Sequence, residues 1–223
     1  MNILMIGNSF TFYFDVPKIL ESACRSAGKD VCVDSVTKGG WTLLQHADPN
    51  DECGKVLEEK LRSGVLYDVV ILQEQSSRPF EDYPKFLEGC EALTKKLRAY
   101  NPSTRVILYE TWGYGDDFSY LTGRGWKSET MYEKLRASYA DAAKTVGAEV
   151  SHVGEGLLKL YRETKIDPYW TDRKHQSYAG SYLSALTHAL RIFPDLQAEQ
   201  IRFLGECEEE TACRIRRIVE TTR

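Results

Sequence analysis

Short, continuous runs of apolar residues alternate with longer amphipathic stretches along most of the chain. Such runs, rich in Val, Ile and Leu, are typical of strands that are covered on both faces. The predicted strands comprise residues 2–6, 31–36, 68–72, 105–109 and 149–153. The amphipathic stretches predict helices over residues 16–27, 54–62, 83–100, 128–146, 178–192 and about 206–222.

The order of these elements predicts the fold class. Strands that alternate with helices are typical of right-handed crossovers and a parallel sheet. We therefore expect a three-layer, flavodoxin-like α/β fold with a five-stranded parallel sheet and helices on both faces. Because no repeat, low-complexity tract or Pro/Gly/Ser-rich linker marks a boundary, residues 1–223 are predicted to form a single domain.

Composition and charge narrow the classes of function. The 223 residues include 29 basic and 33 acidic side chains, for a net charge of −4. This balance predicts no nucleic-acid surface, and no apolar segment approaches the roughly 20 residues of a membrane helix. The six cysteines show no C-x-x-C pairing, so no metal site is predicted. With no export signal in view, they are expected to be free thiols in a cytoplasmic protein.

Polar residues and glycines follow the first two predicted strands. In a parallel sheet, ligands bind beyond the carboxyl ends of the strands. Gly7-Asn8-Ser9 follows the first strand, which makes Ser9 a candidate nucleophile, although Ser and Asn are also favoured at helix N-caps. Gly39 and Gly40 follow the second strand. They predict a tight turn or a backbone N–H close to a ligand.

The third strand end and a segment near the C-terminus add two further groups. Amide side chains in the segment QEQS (73–76) can donate hydrogen bonds to a developing negative charge, although a hydrophilic loop has the same pattern. The spacing of Asp172 and His175 lets the carboxylate accept a hydrogen bond from the imidazole Nδ1–H. A surface histidine beside a solvated aspartate is the alternative. All four groups are expected at the same edge of the sheet, and their combination favours a catalytic function.

These motifs resemble those of the SGNH hydrolases, the GDSL-like lipase and esterase superfamily. The segment GNSFT is similar to the first block of that family, and Gly40 matches the glycine of the second block, with Gly39 as the alternative. Asp172 and His175 have the spacing of the last block. The usual Gly-Asp-Ser is Gly-Asn-Ser here, and the third-block asparagine aligns with Gln75. The GNSFT and QEQS motifs together are similar to a poorly characterised branch of the superfamily.

The resemblance implies a serine hydrolase that cleaves carboxylic esters. Ser9 is the implied nucleophile, His175 the base and Asp172 the carboxylate that orients it. The N–H groups of Ser9 and Gly40 and the side-chain amide of Gln75 form the implied oxyanion hole. Neither a metal nor an organic cofactor is expected. The expected partner is a small ester substrate, with acylated sugars as one candidate.

Four further side chains are candidates for lining the substrate site: Gln73, Trp41, Trp112 and Arg78. Gln73 is also the alternative to Gln75 as oxyanion donor, and an ion pair at a helix start is the alternative role for Arg78. A second class of function stays open because the third block departs from the family pattern. In that hypothesis the chain is a non-catalytic ligand-binding module on the same fold.

Overall fold

A computed structural model describes residues 1–222 and contains a five-stranded sheet. Its strands are β1 (Asn2–Gly7), β2 (Cys32–Thr37), β3 (Val69–Leu72), β4 (Arg105–Tyr109) and β5 (Glu149–Ser151). They lie in the order β2-β1-β3-β4-β5, and every neighbouring pair is parallel. The predicted flavodoxin-like sheet is confirmed. The last residue of the predicted domain, Arg223, lies outside the described residues.

Helices cover both faces of this sheet. They are α1 (Ser9–Phe12), α2 (Val16–Ser26), α3 (Leu43–Ala47), α4 (Glu52–Arg62), α5 (Arg78–Glu81), α6 (Tyr83–Tyr100), α7 (Ser119–Thr122), α8 (Ser128–Val146), α9 (Val153–Glu163), α10 (Tyr178–Ile192) and α11 (Glu209–Glu220). Helix α2 packs against α10, whereas α3 packs against α6 and α6 against α8. Right-handed crossovers place α2 on one face of the sheet and α4, α6 and α8 on the other.

The central strands are buried along their length, which explains their continuous apolar runs. All four residues of β3 are at most 1% exposed, whereas the edge strand β2 is partly exposed. Ile6 pairs with Val36 on one side and Leu72 on the other, so the carboxyl ends of β1, β2 and β3 lie level. The strand order reverses between β1 and β3. Ligands bind at this switch point in open α/β sheets.

The segment after β5 differs from the prediction. The strand ends at Ser151, and α9 follows at once as a helix that the periodicity did not predict. Its glycines have low helix propensity, but close packing requires them. A Cβ at Gly154 would lie 2.2 Å from the carbonyl oxygen of Thr111, and one at Gly156 would lie 2.8 Å from Leu183. The last helix, α11, is also shorter than predicted, since it begins at Glu209.

Three features concern residues 1–222 as a whole. None of their helices is long and apolar enough to cross a membrane. Their six cysteines are free thiols, of which Cys24, Cys53 and Cys90 are buried. Within this range no group of three or more His, Cys, Asp or Glu side chains is arranged to hold a metal ion.

Candidate active site

The turn after β1 presents Ser9 at the carboxyl edge of the sheet. The strand ends at Gly7, and Asn8 caps the one-turn helix α1 that begins at Ser9. Asn8 Oδ1 accepts the backbone N–H of Phe10 at 3.2 Å, and Asn8 Nδ2 donates to the carbonyl oxygen of Trp41 at 2.9 Å. An aspartate could form the first bond but not the second. The asparagine of the Gly-Asn-Ser motif therefore has a physical role.

Gln73, directly after β3, ties that strand to the serine turn. Its Oε1 accepts the backbone N–H of Asn8 and the hydroxyl of Thr11, both at 2.9 Å, and its Nε2 donates to the carbonyl oxygen of Glu74. A Cβ at Gly7 would lie 2.6 Å from the same Oε1, so only glycine fits there. Gln73 is fully buried with both ends of its amide bonded. The structure therefore contradicts its predicted roles as a lining residue and as the alternative oxyanion donor.

The turn after β2 carries the two glycines. Gly40 has a φ of +74°, in the left-handed region that favours glycine, and a Cβ there would meet nothing within 4 Å. The hydrogen bond to the Trp41 carbonyl described above holds this turn beside the serine turn. The Trp41 indole N–H donates to Asp51 at 2.6 Å, and the Lys38 ammonium lies 4.0 Å from the centre of its ring system. Trp41 is partly exposed and stays a candidate lining residue.

Gln75 forms a turn ahead of α5. Its Oε1 accepts the backbone N–H groups of Ser77 at 3.1 Å and Arg78 at 3.0 Å. Its Nε2 lies 3.4 Å from the hydroxyl oxygen of Ser76. Because two backbone donors hold the carbonyl end, the direction of the amide nitrogen is restricted. Gln75 thus has the support that a preorganised donor needs, and its place in an oxyanion hole stays a prediction.

His175 links the serine turn to the segment before α10. Its Nε2 lies 2.8 Å from Ser9 Oγ, and its Nδ1 lies 2.5 Å from Asp172 Oδ2. The other Asp172 oxygen accepts the backbone N–H groups of Lys174 and His175. Burial by itself raises the pKa of Asp172, but these hydrogen bonds outweigh it and hold the pKa below its ordinary value. An ionised Asp172 keeps the proton on Nδ1 and leaves Nε2 free to accept from Ser9.

Contacts from elsewhere in the chain hold the loop that carries this histidine. Arg173 has a φ of +61°, and its guanidinium pairs with Asp117 at 2.7 Å and with Asp167 at 2.5 Å. The carbonyl oxygen of Lys174 accepts the indole N–H of Trp112 at 3.0 Å. The position of the imidazole is therefore fixed by groups other than the serine that it faces.

The chain was compared with protein-family models, curated proteins and solved structures. No protein-family model matches the sequence, and no curated protein matches it significantly. Among solved structures, a candidate SGNH hydrolase from Slackia heliotrinireducens has a TM-score of 0.74 at 27% identity, over 86% of this chain and 98% of that chain. The chain has the SGNH hydrolase fold. The resemblance to that superfamily, inferred from the motifs, is confirmed.

Two other solved structures are similar to this SGNH fold at lower identity. A DUF4886 family protein from Bacteroides uniformis has a TM-score of 0.84 at 17% identity, over 99% of this chain and 93% of that chain. An acetyl xylan esterase has a TM-score of 0.63 at 14% identity, over 86% of this chain and 100% of that chain. At these identities the likeness is one of fold.

Two aromatic residues that the sequence patterns did not single out flank the imidazole in this SGNH fold. The Tyr13 ring stacks on His175 with centroids 4.2 Å apart, and Phe10 meets His175 edge-on at 5.3 Å. Phe14 and Asp15 follow with φ values of 53° and 57°, a strained turn for residues other than glycine. The aromatic run that directly follows Ser9, FTFYF, is the signal that would have pointed to them.

The predictions for Trp112 and Arg78 have different outcomes. Trp112 does not line a pocket, since it is 1% exposed and stacks on Phe10 with centroids 4.3 Å apart. The prediction was wrong because the segment after β4 packs beneath the His175 loop instead of facing outward. Arg78 begins α5 and lies 4.0 Å from Asp82, which is the ion pair left open for it by the sequence.

Proposed function

We propose that this chain is a serine esterase that cleaves small carboxylic esters through an acyl-enzyme intermediate on Ser9. The observation that carries the proposal is the line of hydrogen bonds from Asp172 through His175 to the Ser9 hydroxyl, with lengths of 2.5 and 2.8 Å. A serine hydroxyl is a weak nucleophile until a positioned base takes its proton. The three residues have the partners and distances that this activation needs.

In the acylation step, His175 Nε2 takes the hydroxyl proton as Ser9 Oγ attacks the ester carbonyl carbon. Asp172 stays ionised and stabilises the imidazolium that forms. The tetrahedral intermediate then collapses. The bond between carbonyl carbon and alkoxy oxygen breaks, and the imidazolium donates its proton to the departing alkoxide.

The oxyanion of the tetrahedral intermediate would be bound by three donors. These are the backbone N–H groups of Ser9 and Gly40 and the side-chain amide of Gln75. Fixed donors of this kind stabilise charge that develops only in the transition state, and each is typically worth about 10²–10³ in kcat. In the second half-reaction His175 takes a proton from a water molecule, whose oxygen attacks the carbonyl carbon of the acyl-enzyme. The bond between that carbon and Ser9 Oγ then breaks, the imidazolium returns its proton to Ser9 Oγ, and the acid is released.

Acetylated sugars are the substrates to test first. One protein of the same fold is an acetyl xylan esterase, which supports acetyl groups as acyl donors. The partly exposed Trp41 and the 44% exposed Trp170 are aromatic surfaces near the site residues, and such rings pack well against sugar faces. Trp170 is joined to the site through its backbone N–H, which donates to the His175 carbonyl oxygen at 2.8 Å.

A second candidate function is a non-catalytic ligand-binding module. The observation that favours it is Gln75, which stands where the family has asparagine and whose carbonyl end forms part of a turn. In this case the candidate site residues at the carboxyl edge of the sheet would bind a ligand without acyl transfer.

Labelling with a fluorophosphonate, followed by peptide mass spectrometry, separates the two functions. The esterase predicts modification of Ser9 that is lost in His175→Ala. Ser151 is a matched control because its hydroxyl lies 2.8 Å from the ring of His188, at the same distance as in the candidate pair, but it is buried. Ser151→Ala should leave the labelling of Ser9 intact. An unlabelled, folded wild-type protein contradicts the esterase and favours the binding module.

Hydrolysis of p-nitrophenyl acetate and of acetylated xylo-oligosaccharides then tests the reaction itself. Ser9→Ala and His175→Ala should each remove most of kcat, and the double variant should be no slower than either single one, because the residues act as a unit. Rates in both single variants equal to that of the wild type would contradict the assignment.

A further inference from the structure

Glu74 connects the two segments that carry the candidate oxyanion donors. It follows Gln73 after β3, and its side chain is fully buried. Its Oε1 accepts the backbone N–H of Gln75 at 2.6 Å, and its Oε2 accepts the backbone N–H of Leu43 at 3.2 Å. Leu43 is the first residue of α3, directly after the turn that contains Gly40. One carboxylate thus links the start of α3, which follows the turn after β2, to the segment after β3.

Among the described residues, 1–222, the hydrogen bonds to the Glu74 carboxylate come from these two N–H groups. The charged or titratable groups that face it are Arg78 and Asp82 of the α5 region, Cys90 of α6 and Tyr139 of α8. Arg78 pairs with Asp82 at 4.0 Å. Burial raises the pKa of the Cys90 thiol and of the Tyr139 phenol well above their ordinary values, so both are neutral.

We propose that Glu74 is a positioning residue of the oxyanion hole, whose ionised carboxylate holds the Gly40 turn and Gln75 in the arrangement that the tetrahedral intermediate needs. The proposal rests on the proposed esterase function. It goes beyond it because glutamate takes no part in the proton transfers. An ionised carboxylate accepts on both oxygens, whereas a protonated one carries a hydrogen on one of them and accepts poorly there. Protonation therefore loosens one of the two segments.

Both forms of Glu74 occur near neutral pH. Burial raises its pKa to about 7, and the N–H groups of Gln75 and Leu43 lower it only in part. The proposed activity then depends on the deprotonation of Glu74, so kcat of the wild type should fall as pH drops through about 7. In Glu74→Gln this titration is absent, and one of the two backbone N–H groups faces an amide NH₂ that cannot accept it.

The test compares kcat and KM for p-nitrophenyl acetate between pH 5.5 and 9 in the wild type, Glu74→Gln and Glu110→Gln. Glu110 is a buried glutamate at the end of β4, but its partner is His152, so it is a matched control. We expect Glu74→Gln to lower kcat about 10- to 100-fold with KM little changed, since small displacements of catalytic groups have effects of this size. The fall of kcat as pH drops through about 7 should be weaker in Glu74→Gln than in the wild type, whereas Glu110→Gln should keep the wild-type profile.

Amide hydrogen exchange supplies a readout that does not depend on turnover. The N–H groups of Leu43 and Gln75 should gain protection as pH rises through 7 in the wild type and lose it in Glu74→Gln. A folded Glu74→Gln with wild-type kcat and a wild-type pH profile overturns the role of Glu74 alone. A higher kcat in Glu74→Gln than in the wild type also overturns it. The repulsion between the Glu74 charge and the oxyanion would then affect kcat more than the positioning of the two segments does. A wild type without labelling or hydrolysis overturns the esterase and, with it, this role.

Discussion

The phenol ring of Tyr13 lies flat against the imidazole of His175, with ring centroids 4.2 Å apart and an interplanar angle of 7°. Phe10 closes a second side of the imidazole edge-on. Both residues belong to the short segment that begins at Ser9, so the candidate nucleophile and the aromatic surface against its candidate base are close in sequence. The Asp172 hydrogen bond fixes the tautomer, while Tyr13 restricts the plane of the ring.

Removal of the Tyr13 ring should slow the reaction. Aromatic pairs are worth about 0.5–1.5 kcal/mol beyond burial, so Tyr13→Ala should lower kcat/KM about 2- to 12-fold. Tyr13→Phe keeps the ring and should retain nearly wild-type kcat/KM. Steady-state kinetics with p-nitrophenyl acetate measures both. Equal losses in the two variants would assign the effect to the hydroxyl instead of the stack.

Asp172→Asn should distinguish the effect of Asp172 on the His175 tautomer from its effect on the geometry of the loop. An asparagine retains an acceptor for the backbone N–H groups of Lys174 and His175 but no longer favours the proton on Nδ1. We expect kcat to fall about 10⁴-fold with the fold intact. Asp195→Asn, at an exposed position, is the control. A loss in Asp172→Asn as small as that of the control would show that Asp172 does not orient the base.

Asn8→Asp tests why this chain has Gly-Asn-Ser. The substitution removes the donor to the Trp41 carbonyl and places a carboxylate against that oxygen. We expect the free energy of unfolding to fall by about 1–3 kcal/mol, the usual effect of a buried polar group left without its partner. Chemical denaturation measures the change, with Asn50→Asp at an exposed position as the control. No difference between the two variants would contradict the bond.

Glu74 should make the stability of the fold depend on pH. Its carboxyl group has an ordinary pKa of 4.5 in an unfolded chain and a pKa of about 7 in the fold. Between these values the folded protein holds a proton that the unfolded chain has lost. The stabilisation is thus complete below about pH 4.5 and is lost as pH rises through about 7, a change of about 3 kcal/mol.

Denaturation at pH 5 and pH 8 measures this contribution as the difference between the wild type and Glu74→Gln. The free energy of unfolding of the variant, relative to the wild type, should rise with pH. Glu199→Gln, at an exposed position, should show no such trend. Parallel pH profiles for the wild type and Glu74→Gln would mean that Glu74 keeps its ordinary pKa. Stability and proposed activity should thus change with pH in opposite directions.

Local sequence patterns were sufficient for the sheet and for the choice of chemistry. Residues buried on both faces of a parallel sheet must be apolar without interruption, so the runs at β1, β3 and β4 identified the strands. The serine after β1 and the Asp-x-x-His spacing are likewise short-range signals. Helix α9 was missed because its two glycines serve contacts with Thr111 and Leu183, which the local pattern does not contain.

The sequence by itself determined the order of the five strands and of six of the helices, the SGNH resemblance and the identity of the three candidate triad residues. Only the tertiary structure decided which side chains meet. Ser9 meets His175 across 166 positions, Tyr13 lies flat on that imidazole, Trp112 donates to the loop that carries it, and Gln73 is buried. The contacts of Glu74 with Leu43 and Gln75, from which its proposed role is argued, likewise exist only in the tertiary structure. The physical reason is that composition and periodicity report which face of an element is buried, whereas hydrogen bonds and pKa depend on atoms that distant segments bring together.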